Sequence, residues 1–350
     1  MSETEINLRK STGVNDDINA GYKRNNGIIN SLFNVWQRGT SFGPLSSGLT
    51  YTADRWFVNR GASNAVVNRV DGPEGSLYAA RIQRNSSDTD VSPISFGQAF
   101  ETNNSHRYAG KKVSLRFKAR KGADYSASSD VLNVAIPTGT GSDQSASSGI
   151  GGSWTGYINT ALDISSVTLT TSWQTFTVKS NAILPSSVSQ ILAFFQMTPT
   201  GTAGAADYFE VADVELVEGE EPNFHVERRD VGSELLACSY YYQRRTSGGV
   251  AGRLFGHGSM EGTARGPALI PMNDMRTTPT ITSSAATTFR VAQGTVSAQG
   301  SSIIDLSWQS AVNAVNLDVQ VGSTPFTNGL ASRVSSFNTT EAHVTADAEL

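Results

Sequence analysis

Trp154 and Tyr157 are the residues whose type and surroundings most favour a binding role. They lie three positions apart in the segment PTGTGSDQSASSGIGGSWTG (137–156) and its direct continuation, which offers little apolar company to an aromatic ring. Sugars bind by stacking their C–H faces on exposed aromatic rings, so the pair could form a platform for a glycan. Alternatively, both rings fold back and plug the end of a domain. The sequence leaves both readings open, and these two residues are the glycan-binding candidates.

Acidic residues near position 210 raise the question of hydrolytic chemistry, because a glycosidase needs two carboxyl groups facing each other across a cleft. The most suggestive are Asp207, Glu210, Asp213 and Glu215. All but Glu210 have odd numbers, whereas the apolar Val214 and Leu216 have even numbers. Side chains alternate between the faces of a strand, so this parity predicts carboxylates on the solvent face. We therefore expect no catalytic pair and no enzymatic activity.

Histidine and cysteine are too scattered for a metal centre. The histidines lie in four different regions: His106, His225, His257 and His343. Cys238 is the single cysteine, which excludes an intrachain disulfide and a multi-cysteine zinc site. No serine stands in a G-x-S-x-G elbow, and the Gly-rich segments lack the Lys-Ser/Thr ending of a phosphate loop. The sequence thus predicts no catalytic residue, no cofactor and no metal.

The composition favours β-structure. Of 350 residues, 38% are apolar and 17% charged, and the net charge is −4. Positive residues form no stripe of the kind that nucleic acids require, so we expect no nucleic-acid partner. The N-terminal MSETEINLRK lacks the apolar core of a signal peptide, and no apolar stretch reaches the roughly 18 residues of a membrane helix. We expect synthesis in the cytoplasm and no membrane insertion.

The predicted elements are mostly short strands separated by turn residues. Period-2 or apolar runs cover 51–58, 65–70, 77–82, 113–119, 131–136, 173–178, 191–197 and 208–217. Further runs cover 268–270, 280–282, 289–291, 303–308 and 315–321. Their spacing by Gly, Pro, Ser and Asn is typical of sandwiches and jelly rolls. The prediction is an all-β fold of tandem β-sandwich domains.

Four segments follow from this pattern. Residues 1–30 form a polar N-terminal arm, either a disordered tail or a segment that orders against a partner. Residues 31–218 form the first sandwich, of jelly-roll type. Residues 219–248 form a charged connector with one short helix, and residues 249–350 form a second β-sandwich.

The predicted helix lies in SELLACSYYYQRR. Apolar and small residues recur at helical spacing: Leu235, Leu236, Ser239 and Tyr242. Ser233 is the predicted N-cap, and Arg244 and Arg245 fall near the predicted C-terminus, where cations complement the helix dipole.

The run IINSLFNVWQRGTSF, followed by YTADRW, resembles the opening of a jelly-roll domain widespread in phage tail and tail-fibre proteins. The matching positions are Asn30, Phe33, Trp36, Gln37, Arg38, Gly39, Thr52, Ala53, Asp54, Arg55 and Trp56. TTSWQTFTV resembles a late strand of that family, and YFEVADVELVEGEEPNFHVERRDVGSELLACSYYYQRR resembles its closing strand, connector and helix. The chain departs from it in reading CSYYYQRR for CQRYY. With IPMNDMRTTPTIT, which resembles the start of a following β-domain, the resemblance covers most of 28–285.

Structural roles are expected for several of these residues. Three tryptophans in or beside apolar runs are expected in the core: Trp36, Trp56 and Trp173. Asp54 and Arg55 are expected to form an ion pair or to pin the first strand. Gln37 and Arg38, next to a glycine, are expected to bond backbone carbonyls, and Cys238 is expected to be a buried small hydrophobe.

The resemblance implies a phage virion component with a jelly roll similar to carbohydrate-binding modules, commonly a homotrimer. In such modules the first jelly roll is often a scaffold, so the resemblance alone does not imply a lectin. The leading hypothesis is a tail-fibre or receptor-binding protein that docks on other virion proteins through 1–30 and contacts a host-surface glycan. A capsid decoration or head-fibre protein, a polysaccharide depolymerase and a free carbohydrate-binding module are the alternatives. Association is also favoured by the low charge of 277–308, whose strand edges need covering.

Overall fold

The structure, a computed structural model, describes residues 24–219, 226–227, 229–311, 313–322, 326–338 and 341–350. Most of the predicted arm 1–30 and the centre of the predicted connector lie outside the described residues. The chain divides into two compact units, one ending at Glu234 and including Leu350, the other Leu235–Glu349. Strands dominate both units, so the predicted all-β class is confirmed.

The described strands of the first unit are β1 (Arg24–Asn25), β2 (Ser41–Leu45), β3 (Gly48–Tyr51), β4 (Phe57–Arg60), β5 (Ala65–Asp71), β6 (Tyr78–Arg84), β7 (Ile94–Phe100), β8 (Val113–Lys121), β9 (Val131–Ala135), β10 (Pro137–Gly139), β11 (Ile158–Asn159), β12 (Ser166–Thr168), β13 (Gln174–Lys179), β14 (Gln190–Met197), β15 (Tyr208–Glu218) and β16 (Val226–Glu227). Its short helices are α1 (Thr102–Ser105) and α2 (Ala146–Ile150).

Two facing sheets build the first unit. One has the order β13-β8-β15-β6-β5-β2; the other has the order β11-β10-β14-β7-β4-β3, with β9 joining β14 and β12 joining β9. Alternate residues of each strand enter the core between the sheets, as for Phe117 on β8 and Phe195 on β14, whose ring centroids lie 4.7 Å apart. Burial of these aromatic and aliphatic side chains is the main stabilising contribution.

The sandwich begins before residue 31. Ile28 and Asn30 are fully buried. The Asn26 amide donates to Val214 O and accepts from the backbone N–H of Ile28 and Leu216. Residues 26–30 of the predicted arm therefore belong to the first unit.

Helix α3 (Val231–Ser239) begins in the first unit and ends in the second. The strands of the second unit are β17 (Tyr242–Thr246), β18 (Leu254–Ser259), β19 (Arg265–Pro271), β20 (Thr280–Ser283), β21 (Phe289–Gln293), β22 (Val296–Gln309), β23 (Ala314–Val321), β24 (Ala331–Ser336) and β25 (His343–Asp347).

The second unit contains a closed sheet, whereas the sequence predicts only a β-sandwich. Six strands close on themselves in the order β18-β19-β23-β22-β21-β24, and β17-β25-β20 form a smaller sheet. Strands β21 and β22 pair on both sides within the closed sheet, and β20 pairs with β25. Within 277–308, β21 and β22 are thus paired on both sides, whereas β20 is an edge strand of the smaller sheet, and the expected association stays a prediction.

Helix α3 is shorter than predicted and is capped by another residue. The Asp230 carboxylate accepts from the backbone N–H of Gly232 and Ser233 and from the Ser233 hydroxyl, so Asp230 is the N-cap rather than Ser233. These hydrogen bonds lower the pKa of Asp230. The helix ends at Ser239, and Tyr242, Arg244 and Arg245 lie on β17. No helix among the described residues is long and apolar enough to span a membrane.

Candidate functional site

The opening motif folds into a buried cross-brace centred on Asn30 and Asp54. The Asn30 amide donates to Val35 O at 2.8 Å and to Asp54 O at 3.0 Å, and its oxygen accepts from Val35 N. The fully buried Asp54 carboxylate accepts from the backbone and side chain of Gln37, and Arg38 Nη1 lies 3.5 Å from it. The Asp54 carboxylate is therefore paired with Arg38, and Gln37 and Arg38 bind it, whereas the predicted pair of Asp54 with Arg55 stays a prediction.

Arg55 and Trp56 complete the brace. Arg55, only 2% exposed, donates from Nη2 to Ala99 O at 2.6 Å. Trp56 stacks on Phe96 with the ring centroids 5.0 Å apart, and its indole N–H donates to Asn30 O. The predictions that Trp56 and Trp36 are core residues are confirmed. Asn30, Gln37, Asp54 and Trp56 thus use their side-chain hydrogen bonds within the motif and with the backbone, which is an architectural role.

The Gly/Ser-rich segment 137–156 covers the outer face of one sheet. Strand β10 and helix α2 belong to it. Trp154 is 3% exposed and joins a second apolar cluster with Phe57, Leu192 and Phe194, on the side of β14 opposite the main core. Its indole N–H donates to Ser145 O at 2.9 Å.

Glycine makes room for the Trp154 ring. A Cβ on Gly149 would lie 2.7 Å from it, and one on Gly139 would lie 3.1 Å from it. The expected pair of exposed rings therefore does not hold for Trp154, which plugs its own loop against the sheet. Tyr157 is half-buried at the edge of the same cluster, and burial raises its pKa. A glycan contact at Tyr157 stays a prediction.

The carboxylates of β15 are buried, in contrast to their predicted exposure. A bulge between Ala212 and Glu215, with Asp213 at φ +53°, shifts the alternation by one residue. Phe209 and Val211 face the core before the bulge, and Val214 and Leu216 face it afterwards. The parity rule therefore applies only to the second half of the strand. Glu210, Asp213 and Glu215 lie on the outer side but beneath long cationic side chains, whereas Asp207, just before β15, has the parity of the core-facing Phe209 and is fully buried.

Each of these carboxylates has a cationic partner on a neighbouring strand. Lys118 Nζ lies 3.2 Å from the Asp213 carboxylate, and Arg116 Nη1 lies 3.8 Å from Glu215. Arg84 Nη1 lies 2.9 Å from Asp207, both side chains being fully buried. Asp207 also accepts from the backbone and hydroxyl of Ser126. Buried charges of this kind need such partners.

Glu210 lies at the centre of a row of alternating rings and charges. Arg81 donates from Nε to one carboxylate oxygen at 2.7 Å, with its Nη2 2.6 Å from the same oxygen, and Arg120 Nε donates to the other. The Arg81 guanidinium lies 4.1 Å from the centroid of the Tyr208 ring, and that of Arg120 lies 4.8 Å from the Trp173 ring. Trp173 is half-buried beneath Arg120, so its predicted place in the core is wrong.

The four candidate carboxylates all form ion pairs with neighbouring side chains. A glycosidase needs a carboxyl group that meets the substrate. The four candidate carboxylates are each at most 6% exposed and held by cations. Within the described ranges, no three His, Cys, Asp or Glu side chains are grouped so as to hold a metal ion. Cys238 is fully buried, as predicted.

The row around Glu210 was missed at the level of sequence. Its signal was present: Arg116, Lys118 and Arg120 alternate with core residues along one strand. A neighbouring strand with acidic residues opposite them could have suggested a charged outer face. That inference requires knowing that the two strands pair, and they lie far apart in sequence.

No protein-family model and no curated protein matches the chain. Several solved structures have similar folds. One is the enzymatically active domain of tailspike protein 4 of bacteriophage CBA120, 10% identical over 55% of this chain and 21% of that chain, with a TM-score of 0.32. Others are the family 11 carbohydrate-binding module of the Clostridium thermocellum cellulase Lic26A-Cel5E (12% identity, 51% and 100% coverage, TM-score 0.30) and TmCBM61 in complex with β-1,4-galactotriose (12%, 55% and 99%, TM-score 0.29).

The chain spans about a fifth of the tailspike chain that it matches. At these identities and TM-scores, the likenesses carry no conclusion about the function of this protein.

Proposed function

We propose that this protein is a non-enzymatic structural protein of a phage virion, a tail-fibre or receptor-binding component. In this proposal it docks on other virion proteins through 1–30, of which 1–23 lie outside the described residues. Its β-units then face outward and contact a glycan on the host surface. It is made in the host cytoplasm and assembled into the particle.

The observation that carries the proposal is the use made of the opening motif. The residues through which the sequence resembles a tail-fibre jelly roll form the buried brace around Asn30, Asp54 and Trp56. A motif with an architectural role specifies a rigid module whose outer surface is open to variation. That is what a family of attachment proteins with differing receptors requires.

Particle imaging with a label on the C-terminus tests the fibre assignment. We expect the label at the distal end of tail fibres. A label spread evenly over the capsid shell would instead support a decoration or head-fibre protein and contradict the fibre assignment. Particles that carry no label at all would contradict both versions.

A depolymerase is the alternative from another functional class. The pairing of Asp207, Glu210, Asp213 and Glu215 with cations argues against it, because a general acid must reach the glycosidic oxygen. Purified protein incubated with host polysaccharide should release no new reducing ends. Release that depends on any of these carboxylates would overturn the non-enzymatic assignment.

We also propose that the protein is a homotrimer. Three apolar side chains at and just after α3 are at least one-third exposed: Leu235, Leu236 and Tyr240. A second copy would remove them from water. Light scattering should give three times the chain mass. Leu236→Glu should lower the measured mass, whereas Leu77→Glu, at a leucine that is similarly exposed, should leave it unchanged. A monomeric wild type would contradict this part of the proposal.

A further inference from the structure

The outer face of the β13-β8-β15-β6-β5-β2 sheet presents four cationic side chains to solvent. We call Arg81, Arg116, Lys118 and Arg120 the cationic face. Their side chains are 21–35% exposed, whereas the carboxylates that neutralise them are at most 7% exposed. Four cations over three carboxylates leave one positive charge in excess. Because the negative groups lie beneath, the surface that a ligand meets is positive, on a chain whose net charge is −4.

The two arginines at the centre of this face are held in fixed positions. Glu210 bridges them through its two oxygens, and each guanidinium lies over an aromatic ring, Tyr208 for Arg81 and Trp173 for Arg120. The side-chain entropy that an exposed arginine loses on binding has thus largely been lost already in the free protein. Arg120 engages Glu210 through Nε, so its two terminal nitrogens are not the donors of that hydrogen bond.

A carboxylate is the group that such an arrangement fits. Guanidinium groups bind carboxylates through paired N–H donors, and the half-exposed edges of Trp173 and Tyr208 supply apolar contact beside them. A sugar acid offers both a carboxylate and C–H faces. Nucleic acid fits less well, since its dense phosphates require several uncompensated cations and this face has one.

We propose that the cationic face binds a polysaccharide that carries carboxylate groups, with Arg81 and Arg120 as its anion-binding residues. The inference rests on the proposed attachment function, which it narrows to acidic surface glycans. It also places the contact on the six-stranded sheet, away from the loop of Trp154 and Tyr157.

Binding of the full chain to polygalacturonate, measured by calorimetry at low salt, tests the proposal. We expect Arg120→Gln to weaken binding at least about tenfold, the size expected for one charge-assisted contact. Trp173→Ala should weaken it several-fold. Arg265→Gln is the matched control, because Arg265 is also an exposed arginine over a buried carboxylate, that of Asp318, in the second unit. It should bind as the wild type does.

Loss of folding is separated from loss of binding by a second variant. Arg120→Gln leaves Glu210 with one partner fewer, whereas Arg120→Gln combined with Glu210→Gln removes the buried charge as well. The double variant should keep the wild-type melting temperature and still fail to bind. If it binds as tightly as the wild type, the proposal is wrong.

Three further outcomes would overturn the inference. They are absence of wild-type binding, equal losses for Arg120→Gln and Arg265→Gln, and equal competition by single-stranded oligothymidylate, which would indicate a general polyanion surface. The attachment function has its own readout. If the protein is found on the fibres but does not bind polygalacturonate, only the acidic-glycan site is wrong. If it binds polygalacturonate but is absent from virions, only the attachment function is wrong.

Discussion

Asn30 anchors the opening segment of the first unit through its side-chain amide. It is fully buried, adopts a left-handed backbone conformation with φ +58°, and makes three side-chain hydrogen bonds to Val35 and Asp54. Asparagine suits this position because its short amide tolerates the left-handed region and mimics a backbone peptide.

Asn30→Ala should therefore lower the free energy of unfolding by about 3 kcal/mol or more, since buried groups that lose their partners each cost about 1–3 kcal/mol. Asn30→Gly loses the same hydrogen bonds but avoids the left-handed penalty of about 1–2 kcal/mol. It should be less destabilised than the alanine variant in urea unfolding. Equal stability of the two variants would show that the backbone conformation is not strained for alanine.

Glu234 gives the first unit a dependence on pH. Burial raises its pKa above the ordinary value, against the lowering effects of the Asn30 backbone N–H and of Arg229. The folded protein thus holds this proton more tightly than the unfolded chain does. The resulting stabilisation is fully present below the unfolded pKa and is lost as pH rises through the folded value.

Glu234→Gln cannot titrate, so its stability relative to the wild type should increase between about pH 4 and pH 7. Urea midpoints of both proteins across this range measure the effect. A difference that stays constant or changes sign in the other direction would contradict the raised pKa. Glu218→Gln, a half-exposed carboxylate of β15, is a suitable control.

At the scale of elements, strands follow from the sequence wherever alternation is regular. The runs 113–119 and 191–197 predict strands, and the structure has β8 and β14 there. Strand β7 escapes this reasoning, because Ser95, Gly97 and Gln98 interrupt its apolar pattern although all seven of its residues are buried. The buried amide of Gln98 accepts from the backbone N–H of Ile29 and donates to its C=O. It thus gives Ile29 the two hydrogen bonds that a neighbouring strand would otherwise give it.

The candidate site was predicted less well than the fold, for two physical reasons. The exposure of Asp213 and Glu215 was inferred from parity, but the side chains of Lys118 and Arg116 cover them on the outer side of the sheet. For Trp154 the sequence left exposure and plugging both open, because the apolar partners Phe57 and Leu192 come from distant strands. In both cases, contacts remote in sequence decide the position of a side chain.

The loop 137–156 gives a prediction at the same scale. Trp154→Ala should destabilise the first unit by about 3–5 kcal/mol, as expected for deletion of a buried large aromatic side chain. Tyr157→Ala should cost much less, since Tyr157 is half-buried. Urea unfolding measures both. If Trp154→Ala retained wild-type stability, the ring would not plug the loop. Any loss of glycan binding in that variant would then be due to the missing ring rather than to unfolding.

At the scale of the whole molecule, two separate sets of buried side chains support the two units. Phe195 lies in the core of the first unit and Phe289 in that of the second, and both are at most 1% exposed. Each core is enclosed by its own sheets, a sandwich in one case and the closed six-stranded sheet in the other. A domain with its own core can unfold as its own cooperative unit.

Phe195→Ala and Phe289→Ala form a matched pair for testing this division. Each should lower the stability of its own unit by about 3–5 kcal/mol. Amide hydrogen exchange resolved by strand should show faster exchange in β7, β8 and β14 for the first variant, and in β21, β23 and β24 for the second. Because a core truncation acts on every residue that opens with it, the affected strands define the cooperative unit. Faster exchange in all six strands for either variant would mean that the two units unfold as one.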